Sequence, residues 1–141
     1  MTATLTAQEF LASRKPRPYR RGEWCCMALV MQWHEHLTGR QAETPLNKPG
    51  IGGMEIIRMS KAAGGPLRLA NVALRTNGWR PREGAGEDGD IIVGLYPSSF
   101  LGAFVGIRVG GWAASVDESG GIHCVRLADI GNPIAWKLEQ L

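Results

Sequence analysis

Cys26-Met27-Ala28-Leu29-Val30-Met31-Gln32-Trp33-His34-Glu35-His36-Leu37-Thr38-Gly39 is the stretch that decides the fold. Cys26, Leu29, Val30, Trp33 and Leu37 recur at helical spacing, and Gly39 is placed to end the helix in a left-handed cap. One face of this segment must therefore belong to a core, and a cysteine opens its first turn. Upstream, Thr6-Ala7-Gln8-Glu9 has the form of a capping box, and Phe10 and Leu11 follow it, so a short first helix ends before Pro16. Downstream, residues 41–53 carry Pro45, Pro49 and glycines and read as an irregular surface loop. A third helix follows from about Met54 to Ala63, ending at Gly64-Gly65, and a fourth from Leu67 to Thr76, ending at Asn77-Gly78.

Eleven of the 19 glycines lie after residue 80, and there the period changes from helical to alternating. Residues 81–90 read as a turn-rich linker. The expected strands are Asp90 to Tyr96, Ala103 to Val109, Trp112 to Val116, Ile122 to Leu127 and Ile134 to Leu138, with turns at Gly110-Gly111 and Gly120-Gly121. Helices first and a sheet after is an α+β order. The chain of 141 residues, 44% hydrophobic and 21% charged, suits a single domain over 1–141: residues 1–23 as helix and basic connector, 24–78 as a helical half, 88–139 as a sheet half. No run reaches the ~18 apolar residues of a membrane span, and no apolar leader opens the chain. Three cysteines do not make a paired disulfide framework, which suits folding in a reducing compartment.

The net charge is +3, yet Arg14, Lys15, Arg17, Arg20 and Arg21 fall within eight residues, and the rest of the chain carries 11 basic against 13 acidic side chains. This argues against a surface built for nucleic acid. The basic strip, held extended by Pro16 and Pro18, reads either as a solvated connector or as a docking segment for another protein. Tyr19 is its only aromatic residue, so the interleaving of bases with rings that favours nucleic acid is missing.

Cys26 has the position of a reactive thiol, because free N–H groups and the helix dipole at a first turn favour a thiolate. The alternative is that Cys25 and Cys26 are small buried hydrophobes. A nucleophile also needs a base. His34 and His36 lie on the same helix, roughly 12 to 15 Å along its axis at about 1.5 Å per residue, which is too far for proton transfer. His123, on a predicted strand, is the one conceivable base. A zinc site is not expected: Cys25, Cys26, His34, His36, His123 and Cys124 have donors but no Cys-x-x-Cys spacing, and two positions on a helix diverge. Gly84-Ala85-Gly86-Glu87-Asp88-Gly89 is too acidic for a phosphate loop and lacks its lysine. No cofactor is implied.

Arg21-Gly22-Glu23-Trp24-Cys25-Cys26-Met27-Ala28-Leu29, with Trp33 and Thr38-Gly39, resembles the start of the phage-type branch of the NlpC/P60 cysteine peptidase superfamily, in which Gly-x-x-Asp-Cys opens the core helix. Ala62-Ala63-Gly64-Gly65, Gly89-Asp90-Ile91-Ile92-Val93, Val105-Gly106-Ile107, Gly111-Trp112-Ala113 and Ala135-Trp136 follow in the order of that branch, across nearly the whole chain. The resemblance implies a papain-like fold. It also implies a degenerate site, since the Asp before the nucleophile is Cys25 and the position of the base histidine, just before Val105, is Phe104. Since that strand should face the start of the Cys26 helix, Phe104 is expected to close the old cleft with an apolar contact, and no third residue is evident that would orient a histidine placed there. Members of this branch accompany tail-tip proteins of phages and gene transfer agents. The resemblance thus implies a structural virion component, made in the host cytoplasm and docked through its surfaces to a baseplate hub, distal tail or tape-measure end. The alternative is an active peptidase or amidase that opens peptidoglycan during DNA entry, with Cys26 as nucleophile and His123 as base. A third reading, a nucleic-acid-binding or host-inhibiting protein, rests only on the basic strip and a pI near 9.0.

Overall fold

Thr6 forms the expected capping box: its hydroxyl accepts the Glu9 N–H at 3.2 Å and the Glu9 carboxylate accepts the Thr6 N–H at 3.0 Å. The helix it starts, α1, spans Ala7–Ser13. The computed structural model describes residues 5–20, 25–44 and 51–139. Helix α2 spans Cys26–Thr38 and stops at Gly39, whose φ of 70° is the left-handed conformation that glycine adopts without a Cβ penalty. Helices α3, Gly53–Ala63, and α4, Pro66–Thr76, follow, with Pro66 in the first turn of α4 where no N–H is needed. The strands are β1 (Trp79–Arg82), β2 (Ile91–Leu95), β3 (Ala103–Val109), β4 (Trp112–Val116), β5 (Ile122–Arg126) and β6 (Gly131–Leu138). They form one sheet in the order β1-β6-β2-β3-β4-β5, with every neighbouring pair antiparallel. The fold class is α+β, as the order of periods predicts.

Alternation along the strands gives the sheet two unequal apolar faces. Ile91, Val93, Val105, Ile107, Val116 and Trp136 share a cluster with Phe10, Leu29, Trp33 and Leu74 from the helices. The out-of-phase residues Ile92, Phe104, Ala113, Val125, Ile130 and Ala135 form a smaller cluster. Helix α2 is buried along most of its length and supplies the centre of the larger core.

Three expectations need correction. Residues 79–82, placed before the sheet half and partly in the linker, are strand β1, paired from Trp79 with Leu138 to Arg82 with Ala135. Pro81 is compatible with this because β1 is an edge strand and an edge residue can spare its N–H. Strand β6 begins at Gly131 rather than Ile134, through Asn132 at φ 47° and an irregular register opposite Val93 and Leu95. The 41–53 segment, expected at the surface, contributes a buried Ile51; its residues 45–50 lie outside the described residues.

The 83–90 linker is tied down by polar contacts. Asp90 is buried and accepts from the Arg82 guanidinium at 2.8 Å and from the Glu87 N–H at 2.9 Å, while Trp33 donates to the Gly89 carbonyl at 2.8 Å. The Arg108 guanidinium donates to the carbonyls of Ala85 and Gly86.

Buried His34 accepts a 2.9 Å hydrogen bond at Nδ1 from the Trp79 indole N–H, so its neutral form is the one the fold uses. Burial holds its pKa below the ordinary 6.5, against the opposing charge of Glu35. A folded-state pKa below the unfolded one means that unfolding takes up a proton, so the stability from neutral His34 is complete above about pH 6.5 and is lost as pH falls through the lower folded value. Urea midpoints should therefore drop between pH 7 and pH 5 in the wild type and change less in His34→Gln. Equal slopes in the two proteins would remove His34 as the cause.

Candidate functional site

Cys26 opens α2, and the residue before it, Cys25, takes the cap position with extended backbone and no side-chain cap bond. Cys25 is buried in the core, whereas Cys26 is half-buried. The first-turn N–H groups are thus left without a side-chain acceptor from Cys25, which favours negative charge on the Cys26 sulfur.

Cys26 lines a cleft of about 500 Å³. Helices α2, α3 and α4 contribute Met27, Ile56 and Leu69; the β2–β3 connection contributes Tyr96 and Leu101; the β4–β5 hairpin contributes Asp117, Glu118 and His123. Tyr19 reaches it from the basic connector.

The expected apolar plug is not there. Phe104 is buried, as predicted, but its ring belongs to the smaller cluster on the sheet face away from α2, where it meets Tyr96 edge-on at 6.1 Å. Val105 and Ala103 line the cleft instead. One position along a strand exchanges faces, and Val105 and Ile107 take the helix side.

His123 lines the cleft together with Cys26. Its strand register pairs it with Ser115, which lines the cleft as well and whose hydroxyl donates to the Val105 carbonyl at 2.9 Å. The neighbouring pair Val116–Ile122 takes the helix side. His123 Nδ1 makes no hydrogen bond and lies 3.8 Å from the Asp117 carboxylate. The Ser119 hydroxyl and N–H hold Asp117 below the usual carboxylate range, with His123 adding a smaller effect. Asp117 was not anticipated; only the turn that follows it, Glu118-Ser119-Gly120-Gly121, brings it beside His123.

The other two histidines have structural partners. His36 accepts the Leu5 N–H at 3.0 Å and stacks on Trp33 at 5.7 Å, and His34 holds Trp79. Cys124 is exposed, and among the described residues no cluster of His, Cys, Asp or Glu is arranged to hold a metal ion. No helix among the described residues is long and apolar enough to cross a membrane.

The basic strip is more tightly engaged than a solvated connector. Arg14 is half-buried, with its guanidinium 4.5 Å over the Phe10 ring and bonded to Gln32 at 3.2 Å. The Arg17 N–H donates to the Gly120 carbonyl at 3.3 Å, which fixes the strip to the β4–β5 hairpin. Lys15, Arg17 and Arg20 are exposed, and Arg21 lies outside the described residues.

Comparison with known proteins finds no matching family model, no matching curated protein and no matching solved structure.

Proposed function

We propose that this chain is a structural component of the tail tip of a phage or phage-like particle, built on an NlpC/P60-type, papain-like scaffold whose cysteine site binds rather than cuts. The motif order supports the scaffold, and so does a cysteine that opens the central helix beside a cleft at the sheet. The observation that carries the loss of cutting is the register. Position 104, where the resemblance calls for the base histidine, carries a phenylalanine packed in the smaller cluster and directed away from the cleft. A thiol whose base position is filled by a phenylalanine loses a factor of about 10²–10⁴ in rate. A scaffold kept without its base acts through its surfaces, toward a baseplate hub, distal tail or tape-measure protein. Mass spectrometry of purified particles, followed by pull-down with the neighbouring tail proteins, tests this: the chain is expected in the particle and on at least one of them. Absence from particles together with no affinity for any tail protein ends the proposal.

One observation favours an active thiol peptidase or amidase: Cys26, His123 and Asp117 all line the same cleft. In that reading His123 Nε2 takes the thiol proton, Asp117 orients the ring from the Nδ1 side, and the thiolate attacks an amide carbonyl. Digestion of muropeptides decides. Wild type and Cys26→Ala are expected to be equally slow, and maleimide should not label half-buried Cys26 faster than exposed Cys124. A hydrolysis rate that disappears in Cys26→Ala establishes the enzyme.

A further inference from the structure

We infer that the cleft beside Cys26 is a docking groove for an extended protein segment that alternates apolar and basic residues; this rests on the scaffold reading above. A volume of about 500 Å³ is in the range of sites that enclose a ligand rather than a surface dimple. Met27, Ile56, Leu69, Tyr96 and Leu101 give it apolar walls. Leu101 is exposed and has a φ of 59°, a conformation that costs a residue with a Cβ and here keeps a large apolar side chain at the solvent edge of the cleft.

Charge selects the occupant further. Asp117 and Glu118 stand together at the hairpin end of the groove, and none of the residues described as lining it is Lys or Arg. Glu118 is exposed and forms no ion pair among the described residues, while the Ser119 hydrogen bonds hold Asp117 ionised. The charged groups among the groove's described lining are thus acidic, and the basic strip crosses the hairpin beside them at Gly120. An acidic segment would meet repulsion there, and a purely apolar one would leave the Glu118 carboxylate without a charged partner.

The test uses the full chain carrying Cys124→Ser, so that Cys26 is its accessible thiol. Two fluorescein-labelled octapeptides are compared by anisotropy, one alternating Leu and Lys and the other Leu and Glu, while N-ethylmaleimide labelling of Cys26 is followed by mass spectrometry. The Leu/Lys peptide should bind about tenfold more tightly and slow Cys26 labelling, and Glu118→Lys should cut that preference by about threefold. Equal binding of the two peptides, binding that leaves the Cys26 labelling rate unchanged, or no binding of the Leu/Lys peptide overturns the inference. Cleavage of a bound peptide that Cys26→Ala abolishes overturns the scaffold reading instead, and leaves the groove's charge preference standing.

Discussion

Phe104→Ala should lose about 3–5 kcal/mol of stability in urea denaturation and leave the native labelling rate of Cys26 unchanged. The ring is 2% exposed and packs among Ile92, Ala113, Val125, Ile130 and Ala135, with Gly106 beside it leaving no space for a side chain. The cavity created by truncation opens on the sheet face away from α2, so the approach of a maleimide to the thiol is untouched. Phe104→His should also destabilise, because an imidazole in this cluster loses ring packing and brings at least one nitrogen without a partner, at about 1–3 kcal/mol. It should create no muropeptide hydrolysis, since strand β3 presents position 104 away from Cys26. Faster Cys26 labelling in Phe104→Ala, or hydrolysis by a folded Phe104→His, would show that this side chain does reach the cleft.

The difference between these outcomes and an apolar plug over Cys26 is one step of strand alternation, and it marks where sequence reasoning stopped. Motif order placed residue 104 on strand β3 and, by the position of the base histidine it replaces, assigned it to the Cys26 side, which is the wrong face. The apolar pair Val105 and Ile107 carried the contrary signal, being in phase with the helix-facing side. Helix α2 was legible to its last residue, because helical spacing and Gly39 mark its length without any distant partner. So were β3 and β4, each an apolar run closed by glycines. Strand β1 was not, since Trp79-Arg80-Pro81-Arg82 has little local strand character and exists through its pairing with β6. The cleft is a product of tertiary structure in the same way. Cys26 was identified from its place on the helix, but Asp117, Glu118 and Tyr19 reach it only because the β4–β5 hairpin and the basic connector meet there.

That meeting depends on Gly120, and Gly120→Ala is the substitution that should undo it. Gly120 has a φ of 86°, and a Cβ built there would overlap the Arg17 carbonyl oxygen and lie 3.2 Å from the Tyr19 nitrogen. Both neighbours are backbone, so neither can rotate away; the connector itself must move. The left-handed backbone costs a residue with a Cβ about 1–2 kcal/mol, and moving the connector also breaks the bond from the Arg17 N–H to the Gly120 carbonyl, worth about 0.5–1.5 kcal/mol. A loss of about 2–3 kcal/mol follows, concentrated where residues 14–20 cross the hairpin. Gly121→Ala is the control, since its Cβ would meet only the Ser119 hydroxyl at 3.5 Å and its φ is not positive. Trypsin is blocked after Lys15 and Arg17 by the prolines that follow them, so cleavage after Arg14 and Arg20 reports release of the strip. Cleavage there should rise in Gly120→Ala and not in Gly121→Ala, and Cys26 labelling should quicken with it, because Tyr19 leaves the wall of the cleft. Identical proteolysis in the two variants would mean that the connector is held by something other than its crossing at Gly120.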